Sequence, residues 1–553
     1  SGGIPSLDDA KLVIDVSGNV GIGNSIPSSF NGGANNLVVG TGSGSEGITI
    51  FGGAESNIFF ADGTAGTDAY IGRIEYSHSI NFMRFYVNNL NAMTINSSGN
   101  IIIASTGGTL QTATAGTSNF RAGVNAGNSI ASGGIENVFV GDEAGTAIST
   151  ADYNTAVGYK ALYSDTLGNR STAIGRQALL NQNFTSDTNA YNIAVGYGAG
   201  LSNATGVQNT NLGGLSGYYG TTADNSTFVG YGAGFGNDGA PLTGNNNTAV
   251  GTSAGLVLQG AANANTFMGV SSGQSNTTGT QNTAVGVDAL KDCTTASNNT
   301  AIGVSSLENC TGSLNVGLGI TSGIGITSGE GNIAIGYNTC AATLTSNNNT
   351  VVGRQAGASV TGGSNNTLIG ALAGDQITSG HENVCVGYDT NPSAADGFNQ
   401  IVLGESVSGN ANSSLCFGAG ATDSAIAFGA TSITAPSDQR YKEEIADATA
   451  GLAFIKDLRP VTFKWKKEKD VPSDHPAYVE GSDTRVMNDY TNHGFIAQEV
   501  KTAIDNHSDI KDGFDMWSEQ GSGGRQRLGP SSLIPMLVKA IQELEARIAV
   551  LEG

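Results

Sequence analysis

Ser437 and Lys442 are two residues whose types and spacing could do chemistry. A serine hydroxyl is a weak nucleophile until a base removes its proton, and a neutral lysine amine can act as that base. Lysine normally titrates near ~10.4, so burial or a nearby cation such as Arg440 is needed to favour the neutral amine. Alternatively, Ser437 and Asp438 cap a helix over 438–446, with Lys442 on its solvated face. Spacing alone favours this second interpretation.

Four phrases around and after this pair form a recognisable series. They are SDQRYKEEI from residue 437, LAFIKDLRPVTFKW, HGFIAQEV and LGPSSLIPMLVKAIQELEARIAVLEG. In this order they resemble the C-terminal intramolecular chaperone and auto-processing domain of phage tailspikes and fibres, the endosialidase type. That family opens with Ser-Asp-x-Arg-x-Lys, which Ser437, Asp438, Arg440 and Lys442 match. Tyr441 departs from the commoner aliphatic residue without touching the pair.

The resemblance implies a self-directed reaction. In that family the serine and the lysine five positions later form a self-cleaving dyad, and the chain is cut just before the serine. The implied catalytic residues are therefore Ser437 and Lys442, and the implied scissile bond is Pro436–Ser437. The Ser437 oxygen lies next to the Pro436 carbonyl along the chain, so an N-to-O acyl shift followed by hydrolysis is the expected route. Some domains of the family do not cleave.

Charge divides the chain into unlike parts. Residues 137–404 carry only 5 basic and 15 acidic side chains, whereas residues 437–553 carry 15 and 20. The formal net charge of −22 disfavours nucleic acid and anionic membranes as partners. Glycine occupies 82 of 553 positions, about twice ordinary usage, which is unlike a conventional globular core. We expect a soluble protein.

A repeat fills the uncharged middle of the chain. Asn-Thr-Ala-Val-Gly or a close variant occurs sixteen times, with its glycine running from Gly141 to Gly404 mostly at intervals of 17. The residue before the glycine is a large aliphatic residue or Met, and the residue three before it is Thr, Val or Ile, which indicates a β-strand. Thirteen copies have Asn four before the glycine, where amides can stack in a ladder. Such a unit cannot bury its own apolar face, so stacked coils must form the core.

The repeat resembles the Asn-Ser-Val-Ala-Ile-Gly coils of the head β-roll in trimeric autotransporter adhesins. The resemblance implies that the alanine face lies toward a threefold axis and that Val or Ile fills each coil; the reverse assignment stays open. Two intervals of 21 place extra residues near 180–191 and 235–246, including Phe184, Phe235 and Asn237. Such loops either touch a receptor or are insertions that the scaffold tolerates, and the second is favoured.

Both ends of the chain carry further patterns. LVIDVSGNVGIG at 12–23 and MTINSSGNIII at 93–103 share a Ser-Gly-Asn turn between apolar runs, which predicts two hairpins in a small β domain. Near the C-terminus, apolar residues spaced 3, 4, 3, 4, 3 predict a three-heptad coiled-coil seam. A lone amphipathic helix on a core is the alternative. The seam residues are Ile534, Leu537, Ile541, Leu544, Ile548 and Leu551.

No cofactor or metal site is predicted. The five histidines are scattered without metal-ligand spacing, and GYGAGFG at 230–236 lacks the Lys-Ser/Thr of a phosphate loop. The five cysteines, which contain no CxxC pair, are expected to be small buried residues. They are Cys293, Cys310, Cys340, Cys385 and Cys416.

The sequence therefore predicts a mainly β homotrimeric fibre. Its parts are an N-terminal β domain (1–110), a linker (111–136), a β-solenoid shaft of 16 coils (137–436) and an α+β chaperone domain (437–553) ending in a coiled coil (531–552).

The expected function is that of a phage tail fibre or virion appendage for host attachment, assembled in the host cytoplasm. Expected partners are other virion proteins and a host surface receptor, a glycan or a protein, without membrane insertion. One alternative is a depolymerase of surface polysaccharide. Another is a bacterial trimeric adhesin, which would require a secretion leader and membrane anchor that we do not expect.

Overall fold

Two units of different construction, Ser1–Ala435 and Pro436–Gly553, make up the chain. The computed structural model describes residues 12–17, 19–22, 37–39, 48–60, 71–103, 116–430, 433–434, 437–475, 477–512, 514–520 and 525–553. Pro436, on one side of the predicted scissile bond, lies outside the described residues.

The first unit begins with two small sheets, and both predicted hairpins are present. β1 pairs antiparallel with β2, and β7 pairs antiparallel with β8. In the five-stranded sheet, cross-strand pairing aligns Ile58, Ile74, Phe85 and Met93 in one row, so one face is apolar and only partly covered. The strands are β1 (Leu12–Ile14), β2 (Val20–Ile22), β3 (Leu37–Val39), β4 (Glu55–Phe60), β5 (Gly72–Ser77), β6 (Phe82–Val87), β7 (Leu90–Ile95) and β8 (Ile101–Ile103).

The shaft is one continuous parallel ladder with one strand per coil. At roughly 4.8 Å per rung, its eighteen strands span about 80 Å. β29 (Thr422–Ala427) then pairs antiparallel with the last of them. β12 (Gly168–Asn169) and β14 (Thr188–Asn189) pair beside the first insertion. The ladder strands are β9 (Phe120–Ala122), β10 (Val138–Val140), β11 (Thr155–Val157), β13 (Thr172–Ile174), β15 (Ile193–Val195), β16 (Thr210–Leu212), β17 (Thr227–Val229), β18 (Thr248–Val250), β19 (Thr266–Met268), β20 (Thr283–Val285), β21 (Thr300–Ile302), β22 (Val316–Leu318), β23 (Ile333–Ile335), β24 (Thr350–Val352), β25 (Thr367–Ile369), β26 (Val384–Val386), β27 (Gln400–Glu405) and β28 (Ser414–Ala419).

The mainly β fold class and the solenoid are confirmed, with two strands beyond the sixteen predicted. β9 lies inside the predicted linker 111–136 and pairs with β10. It escaped the repeat pattern because Arg121 and Ala122 stand where other copies have a small residue and a large aliphatic one. β28 escaped because its glycine follows Gly404 by only 14 residues.

The middle residue of each ladder strand points into the coil, which corrects the first assignment of the strand faces. Ala156 and Ala173 have no accessible surface, whereas Val157 and Ile174 on the opposite face are partly exposed. A large middle residue is matched by glycine six positions later: a Cβ on Gly273 would lie 2.6 Å from the Phe267 ring. The coil is therefore too narrow for large residues on both sides, and alanine is the usual inward residue.

The asparagine four before each repeat glycine forms a buried ladder. The Asn154 backbone N–H donates to Asn137 Oδ1 at 2.9 Å, and Asn154 Nδ2 donates to the Gly168 carbonyl at 2.9 Å. The same two bonds recur with small variations at Asn332 and Asn383. These hydrogen bonds link successive coils at buried amides, with Asn299 Nδ2 as an unsatisfied exception in the ladder, and they fix the axial register of the stack.

The five cysteines are free and buried in the shaft. Burial raises the pKa of Cys293 and of Cys340 to about 12, so their thiols stay protonated. They fill space, as the sequence predicts.

The second unit is a small α+β fold around Phe454, Met516, Val500, Ile504 and Leu533. Its longest helix, α3, packs on this core through Leu533 and Ala540. The elements are α1 (Leu452–Asp457), β30 (Val461–Phe463), β31 (Asn492–Gly494), α2 (Ala497–Asp505), β32 (Trp517–Gln520), β33 (Arg525–Leu528) and α3 (Leu533–Glu552).

Candidate active site

A single turn of 3-10 helix, Gln439–Tyr441, positions the candidate dyad. The Asp438 carboxylate accepts the Arg440 backbone N–H at 2.9 Å, and the Lys442 N–H donates to the Gln439 carbonyl at 3.0 Å. The backbone is extended at Lys442, with φ −121° and ψ 138°, so the turn ends there. The helix considered over 438–446 is therefore reduced to one turn, and Asp438 caps it.

This turn brings Ser437 and Lys442 together. Lys442 Nζ donates a hydrogen bond to Ser437 Oγ over 2.7 Å. Both side chains are exposed in the single chain. The distance suits proton transfer between the two groups, but a donating ammonium must first lose its proton before it can act as the base.

Arg440 is committed to another partner. Its Nε and Nη2 lie 3.0 and 2.6 Å from Asp438 Oδ2. The Arg440 guanidinium lowers the pKa of the Asp438 carboxyl, and the same contact raises the pKa of Arg440. Because Asp438 offsets the guanidinium charge, Arg440 is a weak means of favouring a neutral Lys442. Sequence reasoning missed this pairing, although Asp and Arg two residues apart were its signal.

Comparison with known families decides what this unit is similar to. Residues 437–509 match the family model of the chaperone of endosialidase, peptidase S74. The match begins at Ser437 and takes in α1, β30, β31 and α2. No curated protein matches the chain. The chaperone of endosialidase at the C-terminus and the solenoid shaft together fit a tail-fibre or endosialidase-type protein.

The predicted seam on α3 is uncovered. Glu543 turns toward its own unit and accepts the Leu452 N–H at 2.9 Å, at the start of α1. Ile541 and Ile548, by contrast, are 65% and 51% exposed. The helix thus contacts its core with Leu533, Ala540 and Glu543 and leaves the seam free, which favours the coiled coil over the lone amphipathic helix.

A second candidate interface runs along the shaft. The strand stripe is the set of residues immediately before the sixteen repeat glycines, and it contains no charged residue. Each of these side chains is at least partly exposed, and the residue after the glycine adds exposed Tyr, Val or Ile in many coils. The stripe comprises Val140, Val157, Ile174, Val195, Leu212, Val229, Val250, Met268, Val285, Ile302, Leu318, Ile335, Val352, Ile369, Val386 and Leu403.

Sequence reasoning missed a groove in the second unit. Phe463, Trp465, Val486 and Phe495 line a cavity of about 600 Å³ together with His475. The alternating aromatic residues of TFKW and the Phe of HGFIAQEV were the available signal.

No helix in the described ranges is long and apolar enough to cross a membrane.

Proposed function

We propose that this protein is a homotrimeric virion appendage, a tail fibre that attaches the particle to its host. The observation that carries the proposal is the chaperone of endosialidase match directly following the eighteen-strand solenoid. In this assignment the solenoid shaft carries the attachment function, and the C-terminal unit directs the assembly of the chains.

Three uncovered apolar surfaces support self-association. They are the Ile58–Met93 row of the N-terminal sheet, the strand stripe and the α3 seam. Exposed apolar patches of this extent mark interfaces. The strand stripe repeats with the spacing of the solenoid itself, so the partner that matches its fifteen steps, about 70 Å, is another copy of the same chain. The number three comes from the family and shaft resemblances.

We further propose that the assembled chain cuts itself before Ser437. The Ser437 hydroxyl attacks the Pro436 carbonyl carbon while a neutral Lys442 amine takes its proton. The bond from that carbon to the Ser437 nitrogen breaks, and the nitrogen leaves as an amine after receiving the proton from Lys442. Water then hydrolyses the ester, giving a Pro436 carboxylate and a free Ser437.

The exposure of the dyad suggests what controls this reaction. In the single chain the Lys442 side chain is exposed to water, and water in general stabilises the charged form of an amine. Packing of neighbouring copies around the pair would remove that water and favour the neutral amine. Cleavage would then follow assembly, and the shaft would persist afterwards because its unfolding is slow.

A denaturing gel combined with light scattering tests the proposal. On the gel, wild-type protein should release a 117-residue fragment, residues 437–553. In light scattering, the remaining part should have three times the mass of one cut chain. Ser437→Ala and Lys442→Arg should assemble but stay uncut. Lys456→Arg, an exposed conservative change in the same unit, should cut like wild type.

Each result bears on one part of the proposal. An assembled but uncut wild-type chain contradicts the dyad and leaves the fibre assignment in place. A monomer contradicts the fibre.

A further inference from the structure

Three aromatic rings form a cluster on neighbouring coils of the shaft. Tyr218 and Phe235 lie nearly parallel, at 25°, with ring centroids 5.3 Å apart. Tyr219 stands edge-on to both, at 4.7 Å from Tyr218 and 5.1 Å from Phe235. All three rings are partly exposed. We call these three residues the aromatic cluster.

The cluster is a local feature rather than part of the repeat. Tyr218 and Phe235 occupy the fifth position after their repeat glycines, on the turn side of the coil. The two flanking coils carry Leu201 and Leu256 there, and three later coils carry Gln274, Lys291 and Glu308. Tyr218 lies against the backbone of the preceding coil, where a Cβ on Gly198 would be 3.0 Å from its ring. Other coils therefore stack without an aromatic ring at this position, so the repeat itself does not require one.

The second insertion begins at the edge of the cluster. A Cβ on Gly236 would lie 3.1 Å from Tyr219 Cβ, and the residues that follow, 237–240, are exposed. The pKa of Tyr218 is raised, first by burial and then by the neighbouring Tyr219, Tyr197 and Asp238. An amide from Asn237 and a carboxylate from Asp238 thus border an aromatic surface.

We propose that the aromatic cluster and the 237–240 loop bind a neutral glycan, an inference that rests on the attachment function proposed above. The C–H face of a sugar ring packs on the negative faces of aromatic rings. Carboxylate, amide and phenol groups at the edge match sugar hydroxyls. This combination of apolar faces with a few polar groups is typical of a small-ligand site.

Charge and size narrow the ligand class. Residues 137–404 carry 15 acidic and 5 basic side chains, so an acidic polysaccharide would be repelled. A protein partner needs roughly 800 Å² on each side. Three partly exposed rings offer less apolar surface than that, since a whole aromatic side chain buries only roughly 150–250 Å². One or two neutral sugar units fit better.

The test uses the full-length protein on a printed array of neutral and acidic bacterial surface oligosaccharides. Wild type should bind neutral members. The double variant Tyr218→Ala/Tyr219→Ala should bind them at least about tenfold more weakly, as expected for a buried aromatic contact. Asp238→Ala should also weaken binding without altering the shaft. Tyr163→Ala is the matched control, since Tyr163 occupies the same fifth position outside the cluster; its affinity should equal that of wild type.

Several results would overturn the site. The first is that wild type binds no neutral oligosaccharide, and the second is that it binds acidic ones alone. The third is that wild type, Tyr218→Ala/Tyr219→Ala and Asp238→Ala all bind with equal affinity. Adsorption to bacteria separates this inference from the attachment function. If wild type and the double variant adsorb equally, attachment stands and the glycan site is rejected. If protease treatment of the cells abolishes adsorption and periodate does not, the receptor is a protein and the glycan site is likewise rejected. Wild type that adsorbs to no cell infected by its virion defeats attachment itself, whatever the array shows.

Discussion

Asp165 is a carboxylate without accessible surface inside the solenoid. Its Oδ1 accepts the N–H groups of Gly168 at 3.0 Å and Phe184 at 3.1 Å, and Gln182 Nε2 donates to Oδ2 at 2.6 Å. The same Gln182 Nε2 also donates to Ser171, which stands where most coils have a ladder asparagine. Gln182 and Asp165 together replace an amide that the ladder lacks, and the replacement buries a charge.

This burial predicts a pH dependence of stability. Loss of solvent raises the pKa of Asp165 above the 3.8 of an ordinary Asp, despite the hydrogen bonds that lower it. The folded state then binds the proton more tightly than the unfolded state. The stability that the bound proton on Asp165 contributes is complete below about pH 3.8, and it is lost as pH rises through the folded-state pKa. Asp165→Asn removes this loss, so the difference in urea midpoint, variant minus wild type, should increase from about pH 4 to pH 8.

The exposed Asp292 provides the control for that measurement. Asp292→Asn should shift the midpoint by a similar amount throughout the range. A pH-independent offset added to that increase reflects the altered hydrogen bonds of Asp165→Asn with Gln182. Parallel curves for the Asp165 variant and wild type would contradict it.

At the dyad, sequence alone predicted the residues but not their surroundings. The contact of Ser437 with Lys442 was expected from the family phrase and is present at 2.7 Å. The pairing of Arg440 with Asp438 was not, because an Asp after Ser serves equally as a helix cap and as an ion-pair partner. Whether neighbouring copies bury the dyad depends on surfaces that no local pattern describes.

The single coil is the element on which the shaft depends, and its corner is a glycine with positive φ. Gly286 has φ +139°, and a Cβ there would lie 2.4 Å from the Gly303 carbonyl oxygen of the next coil. A side chain at this corner therefore meets both backbone strain and a backbone clash. Neither can be relieved by rotating a side chain.

Substitution at such a corner should be costly. Gly286→Ala should lower the free energy of unfolding by about 3 kcal/mol or more, combining an unfavourable backbone conformation with overpacking. Gly362→Ala is the matched control, because a Cβ at Gly362 has no atom within 4 Å. It should change stability by less than about 1 kcal/mol. Denaturant unfolding of the two variants against wild type measures both; equal effects would contradict the corner argument.

The repeat was predicted correctly from the sequence, but the direction of its strand faces was not. Period, strand position and corner follow from the glycines alone. Whether Ala or Val of a strand points into the coil depends on the width of the coil. Pairs of inward residues six positions apart, such as Phe267 with Gly273 and Ala284 with Leu290, set that width. Those compensating volumes were present in the sequence and would have settled the assignment. Arg121 and Ala122 hid β9 because they break the pattern without breaking the hydrogen bonds.

For the whole molecule, the regularity of the strand stripe allows chains to associate but does not by itself fix their relative register. Val, Ile, Leu or Met occupies every position of the stripe, so two copies shifted by one rung would bury similar apolar area. Local features such as Arg170, 4.5 Å from the Tyr153 ring and 5.8 Å from the Tyr191 ring, interrupt this uniformity at one height. Under the proposed trimeric assembly, the chains are best aligned before the stripes meet, which is the task expected of a terminal unit that associates first.

Charge on the α3 seam should therefore prevent assembly of the whole fibre. Ile548→Asp/Leu551→Asp places two carboxylates per chain on a surface that does not contact its own core, since these side chains are 51% and 85% exposed. The unit should fold, but chains should remain unassembled or aggregate, with no fragment released. Val550→Asp adds one carboxylate on the same turn, off the seam and 82% exposed, and should assemble and cut like wild type. Light scattering and a denaturing gel on freshly expressed protein measure both outcomes. If the double variant forms the same trimers as wild type, the shaft aligns itself and the seam has no role in assembly.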